Sequence, residues 1–412
     1  MSLFYTTLPI IELYYKELGW IDHKGGRIIV KTGSGNIESL CTQRYRGNTS
    51  KVANYEKKSY AIKLFDENGK RKIPLLGMRE SDEWILDPMP CDYSRMRNIV
   101  SFKLWKDMDS KYPGIDGKFV EVFVNHEYMG IYCLTEKVDR QLLGLKKTKG
   151  GNIRGILYKC RNNLYPSSFF TYDITDDSLK GWWLKYPKNV STSLDVWTPL
   201  KRVMKFLSSD MIDNYKIMAD SLIDVSMVID NYLLLELMSA YDNIGCNKYV
   251  YWNDYEKDKK MKMIPWDMDR TWTRLCQEEK ALYEDRMFQN SLYMRLLQDY
   301  PCFHDLLSER WRVLRGCIFS EDKLIDRFDS CLMVLEKSGA AKREEMIWTK
   351  VHEVEYQPKR GIKDWILFRK PQKQNKKTLK EGENFLIKEE VEKIKEYIPI
   401  RLHELDIKYG CK

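Results

Sequence analysis

Three polar residues in the stretch 240–272 have the types and the spacing that metal-dependent phosphoryl transfer requires. Asp242 follows a long apolar run, Asn247 comes five positions later, and Asp267 stands at the end of the run KMKMIPW. A phosphoryl group is anionic, so Mg²⁺ or Mn²⁺ has to neutralise it, and carboxylate and amide oxygens are suitable ligands for such a cation. We therefore predict that Asp267 and Asn247 bind the metal, and that the Asp242 carboxylate orients or deprotonates an incoming hydroxyl.

Asp269 lies two positions after Asp267 and has more than one interpretation. Two carboxylates at that spacing repel each other unless a cation lies nearby, which favours Asp269 as a further part of the metal site. An Asp after a strand is also a common turn former or helix N-cap. The same Asp-x-Asp pattern holds the metal of nucleotide-sugar transferases, although the sequence does not indicate the parallel α/β nucleotide domain that such enzymes usually need.

The secondary structure that would position these residues can be predicted from the hydrophobic pattern of the sequence. Short apolar or alternating runs in the first 165 residues predict strands and turns, with one helix over 92–108. From about residue 190 helical periodicity predominates, and a long helix at about 224–240 leads to Asp242. KYVYWND and KKMKMIPWD predict a β-hairpin between Asn247 and Asp267. The sequence thus predicts an α+β, two-lobed fold, with a β-rich N-terminal lobe over 1–165 and a mainly helical C-terminal lobe over 166–412.

The composition is that of a globular protein and excludes several classes. The chain has 412 residues, of which 43% are hydrophobic and 31% charged, and a formal net charge of +9. The basic excess fits a lysine-rich surface or attraction to nucleotide phosphates, and no zinc-finger or RNA-binding signature predicts a nucleic-acid partner. No apolar run reaches the roughly 18–20 residues that span a bilayer, and the first residues lack the pattern of a signal peptide. Neither H-E-x-x-H nor G-x-S-x-G occurs, so zinc hydrolysis and esterase chemistry have no support.

Several sequence blocks resemble known kinase-like proteins. The order Asp, Asn five positions later, hairpin and Asp is similar to the catalytic loop and metal-binding segment of protein kinases. IPWDMDRTW resembles the IPWDxD signature of the CotH (spore coat protein H) family. Four further blocks resemble that family and occur in its order, namely RYRGNTS with KKSYAIKLF, WILDPMPCDYSRMRN, FVEVFVNHEYMGIYCLTEKVD and GILYKC. Together the blocks span about residues 8–275.

The resemblance implies an atypical protein-kinase-like fold and an ATP- and Mg²⁺-dependent transfer to Ser or Thr hydroxyls of a protein. It also implies that Lys159 binds the phosphates of the nucleotide; the other interpretation of Lys159 is a surface lysine on a strand. Glu136 has two interpretations, a pairing with a lysine or Arg140 inside the cleft or a structural salt bridge. Arg46 either approaches the nucleotide or closes a turn.

The sequence leaves alternatives open for both the function and the location of the protein. A non-catalytic surface or adhesion module on the same scaffold is the main alternative to a kinase, because a fold does not fix a function. A metal-dependent nucleotide-sugar transferase comes third. The resemblance implies export to the cell surface or the spore coat, while the sequence itself carries no address. The identity of the acceptor and the oligomeric state stay open.

Overall fold

The computed structural model describes residues 5–16, 19, 23–47, 56–148, 152–160, 179, 181–188, 195–209, 213–245, 247–273, 291–348 and 385–410. The strands are β1 Ile10–Tyr14, β2 His23–Thr32, β3 Gly35–Arg46, β4 Ser59–Asp66, β5 Gly69–Lys70, β6 Ile73–Pro74, β7 Glu80–Ser81, β8 Glu83–Asp87, β9 Gly117–Val124, β10 Glu127–Glu136, β11 Ile156–Cys160, β12 Trp182–Tyr186, β13 Lys248–Trp252 and β14 Lys262–Pro265. The helices are α1 Arg97–Met108, α2 Thr198–Leu207, α3 Tyr215–Leu222, α4 Val225–Leu237, α5 Tyr241–Gly245, α6 Ser291–Asp299, α7 Phe303–Arg315, α8 Glu321–Lys337, α9 Ala340–Ile347 and α10 Ile387–Lys408.

Seven strands of the N-terminal half close into a barrel. Their order is β3-β2-β1-β9-β10-β8-β4, and the pairing of β4 with β3 closes the barrel. The short strand β5 pairs with the end of β4. β1 and β9 pair in parallel, and the other neighbours in the barrel are antiparallel. Because side chains alternate along a strand, every second residue points inward and fills the barrel with apolar groups. Examples are Ile11, Leu13, Ile62, Leu64 and Trp84.

A second sheet and the helices form a larger core beside the barrel. This sheet has four strands in the order β12-β11-β13-β14, all antiparallel. Helix α4 lies against β14 and is buried along almost its whole length. It begins where the Asp224 carboxylate accepts a hydrogen bond from the backbone N–H of Met227 at 3.2 Å, as an N-cap residue does. The hairpin β13–β14 therefore rests on a rigid, buried support.

The predicted two-lobed, protein-kinase-like fold with a β-rich N-lobe and a helical C-lobe is wrong. The strands of the first half form a closed barrel, and the remaining strands form mixed layers with the helices. One sheet joins β11, from the segment predicted for the first lobe, to β13 and β14, from the segment predicted for the second. The physical reason is that alternation in a sequence marks the two faces of a strand but not its partner, so the distant β1–β9 pairing could not be predicted. The predicted boundary at 165/166 lies outside the described residues.

Local elements near the site were predicted more successfully. The hairpin between Asn247 and Asp267 is confirmed, with Lys248 opposite Pro265. The helix predicted over 92–108 is shorter and begins at Arg97, because Asp92 accepts hydrogen bonds from the backbone N–H groups of Ser94 and Arg97 and holds a turn before it. None of the described helices is both long and apolar enough to cross a membrane.

Candidate active site

A cleft of about 1110 Å³ lies between the outer face of the barrel and the four-stranded sheet. Outward-facing residues of β3, β4 and β8 and the end of β10 form one side, among them Arg44, Arg46, Lys63, Asp87 and Lys137. The other side comes from the sheet, from α5 and the chain after it, and from the residues that follow β14. It includes Lys159, Trp183, Lys185, Asp242, Asn247, Trp266, Asp267 and Asp269. The volume exceeds the usual 300–1,000 Å³ of a small-molecule site. The cleft therefore has room for a nucleotide and part of a second substrate.

Asp242 and Asn247 are in direct contact in this cleft. Asp242 lies in the first turn of α5, and Asn247 follows that helix. The side-chain N–H of Asn247 donates to Oδ2 of Asp242 at 2.8 Å. Because the amide nitrogen of Asn247 is used in this bond, its amide oxygen is the atom that suits a metal. The hydrogen bond also fixes the orientation of the Asp242 carboxylate.

The hairpin brings Asp267 to the same end of the cleft. The backbone N–H of Trp266 donates to the backbone oxygen of Asn247 at 3.0 Å, so the two segments continue side by side beyond β13 and β14. Asn243 adds a second link, because its side-chain N–H donates to the backbone oxygen of Trp266 at 2.8 Å. Asn247 and Asp267 have φ angles of 50° and 61°, a left-handed conformation that Asn and Asp adopt more readily than most residues.

The carboxylates at this end repel one another. Asp267 is exposed to the cleft, yet the surrounding protein displaces enough water to raise its pKa above the usual value. The Asp87 and Asp242 carboxylates raise the pKa of Asp267 further, whereas Lys159 and Arg46 oppose the increase. The pKa of Asp269 is raised well above its usual value, first by burial and then by Asp267. A cation bound beside them would relieve this repulsion.

The residues at the acidic end of the cleft suit a divalent cation that binds together with phosphate groups. Within the described part of the chain, no three His, Cys, Asp or Glu side chains are close enough to form a metal cage by themselves. Mg²⁺ is commonly held by one or two protein oxygen ligands, with substrate phosphates and water completing its shell. Asp267 and Asn247 supply a carboxylate and an amide oxygen, the donor types that this mode of binding needs.

Lys159 and Arg46 lie close to the acidic end. Lys159 is on β11, and its Nζ lies 5.4 Å from the ring centroid of Tyr249 and 5.6 Å from that of Trp266. The guanidinium of Arg46 lies 5.6 Å from the Trp266 ring centroid. The two cations therefore share one aromatic side chain that immediately precedes Asp267, in a position to attract phosphate.

Glu136 is not brought to the other candidates. Its neighbours Thr135 and Lys137 line the cleft, whereas Glu136 does not. Its buried carboxylate accepts a hydrogen bond from the backbone N–H of Asp116 at 3.0 Å and lies 3.3 Å from Nε of Arg79. This is the geometry of a salt bridge that stabilises the barrel wall.

Asp87 is a residue of the site that the sequence analysis missed. It ends β8 and accepts a hydrogen bond from the side chain of Asn98 at 2.9 Å. The Asn98 amide oxygen accepts in turn from the backbone N–H of Met268 at 2.7 Å. Burial raises the pKa of Asp87. The available signal was an Asp at the end of a strand directly before Pro88, similar to the strand end before Asp267.

The chain thus combines a closed barrel with a cleft that is lined by carboxylates and basic side chains. A family model described as CotH kinase protein matches residues 43–403, and the chain belongs to this family. The chain is also similar to the inner spore coat protein H of Bacillus subtilis (strain 168), at 26% identity over 265 residues. That alignment covers 62% of this chain and 66% of the relative, so the chain spans slightly less than two thirds of the relative's length.

Proposed function

We propose that this protein is an ATP- and Mg²⁺-dependent phosphotransferase that acts on Ser or Thr hydroxyls of a protein. The proposal is carried by one observation, the 2.8 Å hydrogen bond between Asn247 and Asp242 at the end of the hairpin that bears Asp267. This arrangement supports the proposal because the proposed acceptor carboxylate and the proposed oxygen ligands of a cation line the same cleft. A spore-coat or cell-surface setting belongs to the proposal because of the description of the Bacillus subtilis relative.

Each residue has a separate part in the proposed reaction. Bound ATP would supply its γ-phosphoryl group and leave as ADP, and the divalent cation would neutralise the negative charge of the phosphates. Asp267 and the amide oxygen of Asn247 hold the cation, while Lys159 and Arg46 bind phosphate oxygens. Asp242, oriented by Asn247, accepts a hydrogen bond from the acceptor hydroxyl and takes its proton during transfer. Phosphoryl transfer needs mainly positioning and charge stabilisation, which fixed side chains of this kind provide.

ATP is expected to stabilise the protein only when a divalent cation is present. A ligand that binds the folded state alone adds about 2.7 kcal/mol to the free energy of unfolding at 100 times its Kd. Thermal-shift titrations with ATP, with and without Mg²⁺ or Mn²⁺, measure this effect. A nucleotide-sugar serves as the comparison ligand. A larger shift with the nucleotide-sugar than with ATP, or no shift with ATP and metal, contradicts the proposal.

A further inference from the structure

The cleft continues beyond the candidate metal site along a surface of like charge. We call this surface the basic wall, and its residues are Arg44, Lys63, Lys137, Lys185 and Lys188. The direct strand partner of Lys159 on β12 is Trp183, and Lys185 lies two positions further along β12. Strand β12 is at the opposite edge of its sheet from β14, which Asp267 follows. With strands about 4.8 Å apart, that edge is roughly 14 Å away across the sheet.

The cations of the basic wall crowd one another. The pKa of Lys185 is lowered to about 8, first by burial and then by Lys159, Lys137, Arg44 and Lys188, all of which are positively charged. Repulsion of this kind disfavours the empty surface and favours any anion that binds there.

Glu83 is a carboxylate that several of these cations share. The Glu83 carboxylate lies 2.7 Å from Nζ of Lys137. Its burial raises its pKa, but Lys137, Lys188 and Lys63 outweigh this effect and lower the pKa below its usual value. Basic side chains outnumber the carboxylates Asp82, Glu83 and Asp139 on this part of the cleft lining, which favours a positive potential there.

A nucleotide does not account for the basic wall. The negative charge of a nucleotide lies on its phosphates. In the proposed function these phosphates are already neutralised by Lys159, Arg46 and the divalent cation that Asp267 would hold. The base and the sugar carry no charge at neutral pH. A second, anionic ligand at the β12 edge therefore accounts better for the lysines there. Trp183, 41% exposed and with Nζ of Lys185 4.6 Å from its ring centroid, adds an apolar surface on which a peptide can lie.

We propose that the basic wall binds an acidic segment of the acceptor protein, with Asp or Glu side chains near the phosphorylated Ser or Thr. This specificity rests on the proposed phosphotransfer, because it concerns the acceptor of that reaction. An extended chain advances about 3.3 Å per residue, so a separation of roughly 14 Å puts the acidic side chains about four residues from the hydroxyl that reaches Asp242. The positive potential also steers such a segment toward the cleft.

The test measures binding of fluorescent peptides by anisotropy without nucleotide. Two peptides of equal length carry one Ser and, three or more positions away, either Asp and Glu or the neutral Asn and Gln. The acidic peptide is expected to bind more tightly to the wild type. The double substitution Lys185→Gln and Lys188→Gln is expected to weaken its binding about tenfold, since each exposed ion pair contributes up to roughly 1 kcal/mol.

The matched control is the double substitution Lys323→Gln and Lys337→Gln on α8, which makes the same change in net charge at exposed positions. It is expected to leave the affinity for the acidic peptide unchanged. Equal affinities for the two peptides, or equal losses in both double variants, overturn the inference. Tighter binding of a single-stranded oligonucleotide than of the acidic peptide, lost in the Lys185 and Lys188 variant, also overturns it.

A parallel thermal-shift titration with ATP and Mg²⁺ separates this inference from the proposed function. If the ATP shift is present and the acidic peptide does not bind selectively, only the acceptor assignment fails. If the peptide binds selectively through Lys185 and Lys188 and the ATP shift is absent, the basic wall stands as an acidic-peptide surface and the phosphotransferase fails.

Discussion

Asp242→Asn is expected to reduce phosphotransfer by about 10²- to 10⁴-fold, the range that a positioned general base contributes. The substitution preserves the size of the side chain and removes its capacity to take a proton. The affinity for ATP and Mg²⁺ should change little, because the proposed cation ligands are Asp267 and Asn247. Transfer of labelled phosphate to a Ser-containing peptide gives the rate, and calorimetric titration with ATP gives the affinity.

The control for this substitution is Asp213→Asn, an exposed carboxylate outside the cleft. It should transfer phosphate at the wild-type rate. Equal rates for Asp242→Asn and wild type contradict the role of Asp242. A wild type that binds ATP and transfers no phosphate to any Ser or Thr peptide supports a non-catalytic module on the same scaffold.

Asp267→Asn is expected to abolish the stabilisation by ATP and Mg²⁺, which in the wild type is about 2.7 kcal/mol at 100 times the Kd. The amide lacks the negative charge that holds a divalent cation. Without ligand the variant should be more stable than the wild type near pH 7. The reason is that the pKa of Asp267 is raised in the folded state, so its ionised form disfavours folding at any pH above that pKa.

The opposite signs of these two effects make the test specific. A general folding defect would lower the stability of the unliganded protein and the ligand response together. Chemical unfolding at pH 7 with and without ATP and Mg²⁺ measures both. A variant that is less stable than the wild type without ligand, or that keeps the full ATP response, contradicts the assignment of Asp267.

The hairpin, and the proximity of Asp242 and Asn247 to it, could be predicted because these residues are local in the chain. Asp242, Asn247 and Asp267 lie within one helix–loop–hairpin segment, and the register of the hairpin fixes how they meet. The rest of the site depends on contacts between distant segments. Asp87 reaches the site through Asn98, and no spacing rule connects either residue to Asp267.

The barrel was missed for the same physical reason. Its strands have the alternation of any sheet with one buried face, and closure depends on the pairing of β3 with β4 and of β1 with β9. The sequence contains no signal for these partners.

The sequence also does not distinguish a lysine that faces the cleft from one that is buried in a structural ion pair. Lys57 lies in the block KKSYAIKLF, which like the block containing Lys159 resembles the family. In the structure Lys57 is buried and donates to Glu344 on α9 at 2.5 Å, and Glu344 also accepts from Arg95 at 2.8 Å. Removing one partner of such a buried pair typically costs about 3–5 kcal/mol. Lys57 therefore holds a helix against the barrel, whereas Lys159 faces the cleft.

The most direct measurement is anomalous diffraction from crystals of the wild type grown with Mn²⁺ and a non-hydrolysable ATP analogue. We expect a Mn²⁺ peak within about 2.2 Å of a carboxylate oxygen of Asp267 and of the amide oxygen of Asn247, with phosphate oxygens in the same coordination shell. An analogue bound with its phosphates away from Asp267, or a Mn²⁺ peak without contact to Asp267 and Asn247, would contradict it.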